Sequence, residues 1–484
     1  MARLAHQTWL TRPERPQIKL PQAEAGAGFW SRGEKRVSLS VMEISLEGHF
    51  GYRRLLRSAV PGVLMMVVTS IYSIVDGLFV SNLVGTTAFA ALNLIWPAIA
   101  LVGALGLMVG TGGSALVSKV KGEGGQERAD RIFSMLIFFT LGMSVVLAVP
   151  LFLYMEQIAI LLGAEGELVR QCVVYGRICA AGFPAFMMQM TFQPYFMAAE
   201  KPRLGTHLSV ICGLTNIVLD ALFIVVFHWG LAGAAAASML ACCIGGFFPI
   251  AYFASRRNNS SLHIVAARIE KEPVIKASTN GLSEFVGSIA FNILTICYNL
   301  QLMRFLGENG VAAYSVILYV GYIFFAVNSG FNLTVLPLVG YNYGADNKAE
   351  LHSLLTHSAR ILLVFGALIV VLAELLARPA SALFVGYDEG LRALTEHAMR
   401  LNLPCYLLAG ANFFTSTWFT GLNNGVVSAV SSFSRSLIFE IGSVFLLPLV
   451  FGIDGIWLAA DSTEILSSAL SVGLYLGLRR RYGY

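Results

Sequence analysis

The chain has 484 residues, of which 56% are hydrophobic and only 13% charged, with a net charge of +5 and a mean hydropathy of +0.70. A soluble globule carries about 25% charged residues, so lipid is the expected solvent and a soluble enzyme or nucleic-acid binder is excluded. Apolar runs of roughly 20 residues without strict alternation predict membrane helices, not barrel strands.

Residues 1–50 are polar and of mixed charge, and are expected to form a disordered arm; Met42 offers an alternative start. Twelve spans follow. In the first half they cover 57–82, 88–117, 131–155, 168–195, 203–227 and 230–254, the N-lobe of residues 51–254. A basic connection, 255–279, is the expected inter-lobe linker. The C-lobe, 280–484, holds 280–304, 310–338, 357–378, 393–418, 426–451 and 453–478, and ends in a basic tail.

Basic residues near span ends mark the cytoplasmic side. Roughly nineteen, from Arg53 through Arg131, Arg203 and Lys276 to Arg481, fall on one side and roughly four on the other. Both termini are therefore expected in the cytoplasm of a multi-pass protein of the cell (inner) membrane. The seven cysteines all fall inside predicted spans, so a disulfide framework is not expected.

The halves repeat. Leu83-Val84-Gly85 with Ala90-Ala91 recurs as Phe305-Leu306-Gly307 with Ala312-Ala313, and Gly230-Leu231-Ala232-Gly233 as Gly452-Ile453-Asp454-Gly455, about 222 residues on. Each half has an even number of spans, so both enter from the same side. The expected fold is all-α: two parallel-repeat six-helix bundles around a central cavity.

Polar residues inside the spans carry the functional signal, because a carboxylate at a helix centre costs about 2.5–3.5 kcal/mol on insertion scales. At about 1.5 Å of rise per residue, Asp76 on span one, Asp220 on span five and Ser238 on span six reach one depth, roughly 10 Å below the outer surface. Asn216 shares a helix face with Asp220. Two carboxylates, an amide oxygen and a hydroxyl make a hard oxygen site for Na⁺ or protons, with no other metal expected. The alternative is structural: Asp76 as a helix cap and Asp220 as inter-helix glue.

These residues also carry a family resemblance. Pro61, Tyr72, Asp76, Gly85 and Ala90-Ala91, then Gly112-Gly113-Ser114-Ala115, Gly182-Phe183-Pro184, Lys201-Pro202, and Asn216-Ile217-Val218-Leu219-Asp220 with Gly233-Ala234-Ala235 resemble the multidrug and toxic compound extrusion (MATE) family over about 55–478. The resemblance implies cation-coupled efflux of organic, often cationic compounds, with Asp76, Asn216, Asp220 and Ser238 in the cation-binding positions and Ser where Thr is frequent.

In the second half, Glu284 is placed like an acid that some members use, but the partner acid on span ten is missing, which puts a C-lobe cation in doubt. Glu284, Arg435, Glu440 and Glu464 form a possible second polar site, with a structural ion pair the favoured reading among Arg435 and the two later acids. Span four supplies Phe183, Phe186, Met187 and Met190 as a possible substrate pocket or as packing. The expected function is a monomeric secondary antiporter, with no cofactor beyond Na⁺ or H⁺ and with organic substrates and membrane lipid as partners. The rival reading is a lipid-linked oligosaccharide flippase, for which Arg177, Arg400 and Arg435 would have to converge. An intramembrane enzyme is disfavoured, since no His-Glu-x-x-His or comparable spacing occurs.

Overall fold

The computed structural model describes residues 45–484, and the expected arm lies outside the described residues as far as position 44. Every regular element among the described residues is helical. Nine helical stretches are long and apolar enough to cross a membrane on length and composition alone: Tyr52–Val84, Thr86–Gly122, Gln126–Leu153, Pro202–Val226, Gly230–Ala254, Leu282–Leu306, Glu308–Gly344, Lys348–Val385 and Gly425–Phe451. The remaining spans are Glu167–Ala198 (span four), 389–421 (span ten) and 453–482 (span twelve). Span ten is interrupted by a 3₁₀ turn at Leu403–Cys405, where Pro404 lacks the N–H that continues an α-helix. About twelve helices in two bundles are thus present, as the hydropathy pattern implied.

Helix ends overrun the predicted ones because apolarity ends before the helix does. Span nine runs from Lys348, whose first turn is polar, with Asn347 accepting from the Glu350 N–H as an N-cap. Three stretches loosen into π-helix: Val80–Val84 on span one, Ala221–Val226 on span five and Ser434–Glu440 on span eleven. Each contains or closely follows a charged residue in an apolar run (Asp76, Asp220, and Arg435 with Glu440). Such insertions free backbone groups and frequently mark functional positions.

The lobes meet at the end of the bundle that carries the basic residues, and small residues set the approach. A Cβ on Gly62 would overlap Thr334 and the Gly330 carbonyl, one on Gly122 the Tyr341 carbonyl, and one on Gly344 the Lys119 carbonyl. Nearer the opposite end, Gly103, Gly106, Gly182 and Gly321 touch only side chains or backbone of their own lobe. The tight seam between lobes therefore lies on the basic side.

Two connections reinforce that seam. The first is a strap just before span one, where Leu46 and Phe50 are buried in a C-lobe cluster with Val335, Leu351 and Trp418. Within it the Phe50 N–H donates to Glu350 Oε1 at 2.7 Å, His49 Nδ1 lies 2.8 Å from Glu350 Oε2, and Arg360 donates to the Tyr52 hydroxyl at 3.0 Å. The second is the inter-lobe linker, stitched to the N-lobe by His263 N–H to Asp130 (3.0 Å) and Lys121 Nζ to Ser261 Oγ (2.7 Å). Its helix Lys271–Asn280 ends in a side chain that donates to the carbonyls of Gly112 in one lobe and Thr420 in the other.

Candidate functional site

In the N-lobe, spans one, five and six approach closely because small residues line their contacts: a Cβ on Gly213 would press on Tyr72, and one on Gly233 on Phe223. That approach brings the four predicted site residues together. Asn216 and Asp220 lie one turn apart on span five and are 1% and 0% exposed. Asn216 Nδ2 donates to Ser238 Oγ at 3.2 Å, fixing its amide so that Oδ1 is left free. The Asp76 carboxyl lies close enough to Asp220 and Ser238 for the three side chains to act on one another.

Donors are scarce at this meeting point. Asp76 Oδ1, Asn216 Oδ1 and both carboxylate oxygens of Asp220 are buried without a hydrogen-bond partner among the described residues. Ionised carboxylates only accept, and a buried acceptor left unpaired costs about 1–3 kcal/mol, more when charged. A proton shared between the two acids, or a small cation held by the convergent oxygens, would remove that cost. The donor set is all oxygen and fits a hard cation.

Sequence reasoning missed one neighbour on span four. Gln189 is buried, lies against Gly245 of span six and approaches Tyr72, one turn before Asp76; its Oε1 also lacks a partner. The glutamine stands in a Met- and Phe-rich stretch, and only its polarity could have singled it out.

The C-lobe residues divide differently. Arg435 Nε donates to Glu464 Oε1 at 3.0 Å, and Asn412 Nδ2 donates to Glu464 Oε2 at 2.6 Å. The guanidinium also stacks over the Phe413 ring, 3.9 Å from its centroid. Glu440 lies near this pair and near Tyr298. Glu284 lies in the first turn of the span-seven helix and forms no ion pair with this cluster among the described residues. Asp461, one turn before Glu464, was not singled out in the sequence, yet its Oδ2 is buried and unpartnered.

On span four, Phe183 and Met187 are fully buried and Phe186 is 7% exposed, all in one N-lobe cluster. Phe186 fills the space over Gly103, and Met187 the space over Gly106. They pack span four against span two; Met190, partly buried, is the least enclosed of the four. The three arginines needed for a flippase-like cavity are engaged separately. Arg177 lies over Phe152, Arg400 pairs with Glu396 and Arg435 with Glu464.

The MatE family model matches this chain twice, over residues 61–222 and 285–446. The chain belongs to the MATE family. The matches begin about 224 residues apart, so the family's repeat is the internal repeat seen in the sequence. Among MATE relatives, the multidrug export protein MepA of Staphylococcus haemolyticus (strain JCSC1435) is 21% identical over 430 residues, 89% of this chain and 94% of MepA. MepA of Staphylococcus aureus (strain NCTC 8325 / PS 47) is 22% identical, over 87% and 94% of the two chains. A MATE protein crystallised in complex with MaL6 superposes with a TM-score of 0.85 at 22% identity, covering 92% of this chain and 99% of the other. A MATE transporter in an outward-facing conformation gives 0.81, at 22% identity over 90% and 97%. These structures establish a shared fold, and membership of the MATE family makes it that of a multi-pass membrane transporter.

Proposed function

We propose that the protein is a secondary antiporter that exports organic, often cationic compounds in exchange for Na⁺ or H⁺, taken up at Asp76, Asn216, Asp220 and Ser238. The observation that carries this reading is the group of four unpartnered acceptor oxygens on spans one and five. Multidrug export by the MepA relatives supports the substrate class. The basic end faces the cytoplasm of the cell (inner) membrane in this reading, with the excess of Lys and Arg as its support. The seam between lobes is then a cytoplasmic gate, closed here.

Coupling follows from competition between two lobe arrangements. A cation that neutralises the paired carboxylates stabilises one arrangement, and substrate stabilises the other; without such a difference neither could drive its counterpart. One charge moving down the membrane potential supplies about 2.3 kcal/mol per 100 mV, roughly fiftyfold accumulation. Met190 is the span-four side chain best placed to meet substrate. The protein acts as a monomer, and it needs no cofactor besides the coupling ion.

Proteoliposomes loaded with a fluorescent organic cation, with sodium and proton gradients imposed separately, test the proposal. One gradient alone should accelerate dye movement in the wild type, and Asp220→Asn should lose that response while still inserting. Indifference to both gradients would reject coupled antiport.

A further inference from the structure

At the basic end, the start of span nine and the end of span twelve border an open cleft of about 770 Å³ that the transport reading does not use. Its walls present Lys348, His352, Arg479 and Arg480, with Tyr484 at its base, and none of the described residues lining it carries a carboxylate side chain. The Tyr484 ring is held by Trp418, with ring centroids 5.5 Å apart and planes at 87°. Arg479 Nε donates to the main-chain oxygen of Tyr484, the last residue of the chain, at 3.1 Å, so that guanidinium already has an acceptor and the charge open to a ligand rests mainly on Lys348 and Arg480. Lys348 has one acidic neighbour, Asp346 at 3.8 Å, but both side chains are more than half exposed and the pair is screened by water.

The position narrows the ligand. Arg480 follows Leu476 by about 6 Å along the helix, and Leu476 and Val472 are 67% and 55% exposed. On span nine, Val364 and Leu368 are 63% and 60% exposed. An apolar outer face on span twelve therefore adjoins the cationic cleft, and on span nine the exposed apolar face begins about 24 Å further along the helix. Guanidinium groups bind phosphate oxygens through paired N–H donors, and basic pockets between membrane helices take phosphate headgroups.

We propose that this cleft binds the phosphodiester headgroup of an anionic glycerophospholipid, whose acyl chains lie along the exposed face of span twelve. The bound lipid ties the ends of two C-lobe helices together beside the gate. Its binding is independent of the cation site and survives loss of Asp220.

Purified full-length protein in mild detergent, titrated with phosphatidylglycerol or phosphatidylethanolamine and read by native mass spectrometry, tests the site. Phosphatidylglycerol should be retained preferentially, and raising salt should weaken it alone. Lys348→Ala with Arg480→Ala should lower its affinity on the order of fivefold per side chain removed, roughly 25-fold together. The charge-conserving swap Lys348→Arg with Arg480→Lys should retain it, as should Arg256→Ala with Arg257→Ala, which removes equal charge from the linker. Equal binding of the two lipids, or an equal loss in the linker variant, would overturn the site. Displacement of the lipid by millimolar inorganic phosphate would overturn the lipid assignment.

Discussion

Removing the Glu350 carboxylate should loosen the seam between the lobes by an amount that the strap geometry fixes. Glu350 is 5% exposed, and its Oε1 accepts the buried Phe50 N–H at 2.7 Å. A hydrogen bond to a charged acceptor contributes about 1.5–3 kcal/mol, and in Glu350→Ala the Phe50 N–H is left without that acceptor while the strap stays in place. The strap continues into span one, whereas Glu350 sits on span nine, so the loss falls on the arrangement in which the two touch. The ratio of closed to open seam should fall roughly tenfold to 150-fold, at 1.4 kcal/mol per factor of ten. His49 adds little because its side chain is 69% exposed.

A single cysteine at Thr334, in a background whose native cysteines are replaced, reads the change. Thr334 is 4% exposed and abuts Gly62 across the seam, so a maleimide supplied from the basic side reaches it only on opening. Labelling should accelerate by the factor above in Glu350→Ala. It should change little in Glu47→Ala, which loses only the exposed bond from the Tyr341 hydroxyl. An unchanged rate in a correctly inserted Glu350→Ala protein would refute the strap as a clamp.

Two other substitutions have definite signs. Glu464→Gln leaves the buried Arg435 guanidinium with only the neighbouring Glu440 as an acidic partner and should destabilise the C-lobe, by less than the about 3–5 kcal/mol of a fully unpaired buried charge, seen as a lowered melting temperature in detergent; replacing both Arg435 and Glu464 by Met should recover most of that loss. Ser238→Ala removes the acceptor of Asn216 Nδ2 and frees the amide to turn. Apparent affinity for the coupling ion should weaken in a gradient-driven transport assay, and Ser238→Thr should restore it.

Much of this arrangement was legible in the sequence because membrane helices declare themselves by length and apolarity, and a carboxylate inside them has few uses. Asp76, Asp220 and Ser238 could be set at one depth from rise per residue alone, with Asn216 one turn from Asp220 on the same face, and the structure brings the four together. The same arithmetic does not give rotation about the helix axis. Glu284, grouped with Glu440 and Glu464 as a possible second polar site, lies near the start of span seven and forms no ion pair with them among the described residues, and Phe186 and Met187, which could be pocket or packing, fill the grooves over Gly103 and Gly106. The strap was not legible, since Leu46 and Phe50 make two apolar contacts in a polar stretch with no period. Nor were the π-helical stretches, which arise from packing around polar residues, although they fall beside the positions that polarity had already marked.

The cation site is tested most directly at its own carboxyl groups, by infrared difference spectra of the reconstituted protein recorded on a step in sodium or in pH. A carboxyl band that changes with one of these cations, and that is lost in both Asp76→Asn and Asp220→Asn, is the predicted result. A wild-type spectrum that responds to neither cation, or a response that persists in both variants, would contradict the assignment of these four residues as the place where the coupling ion binds.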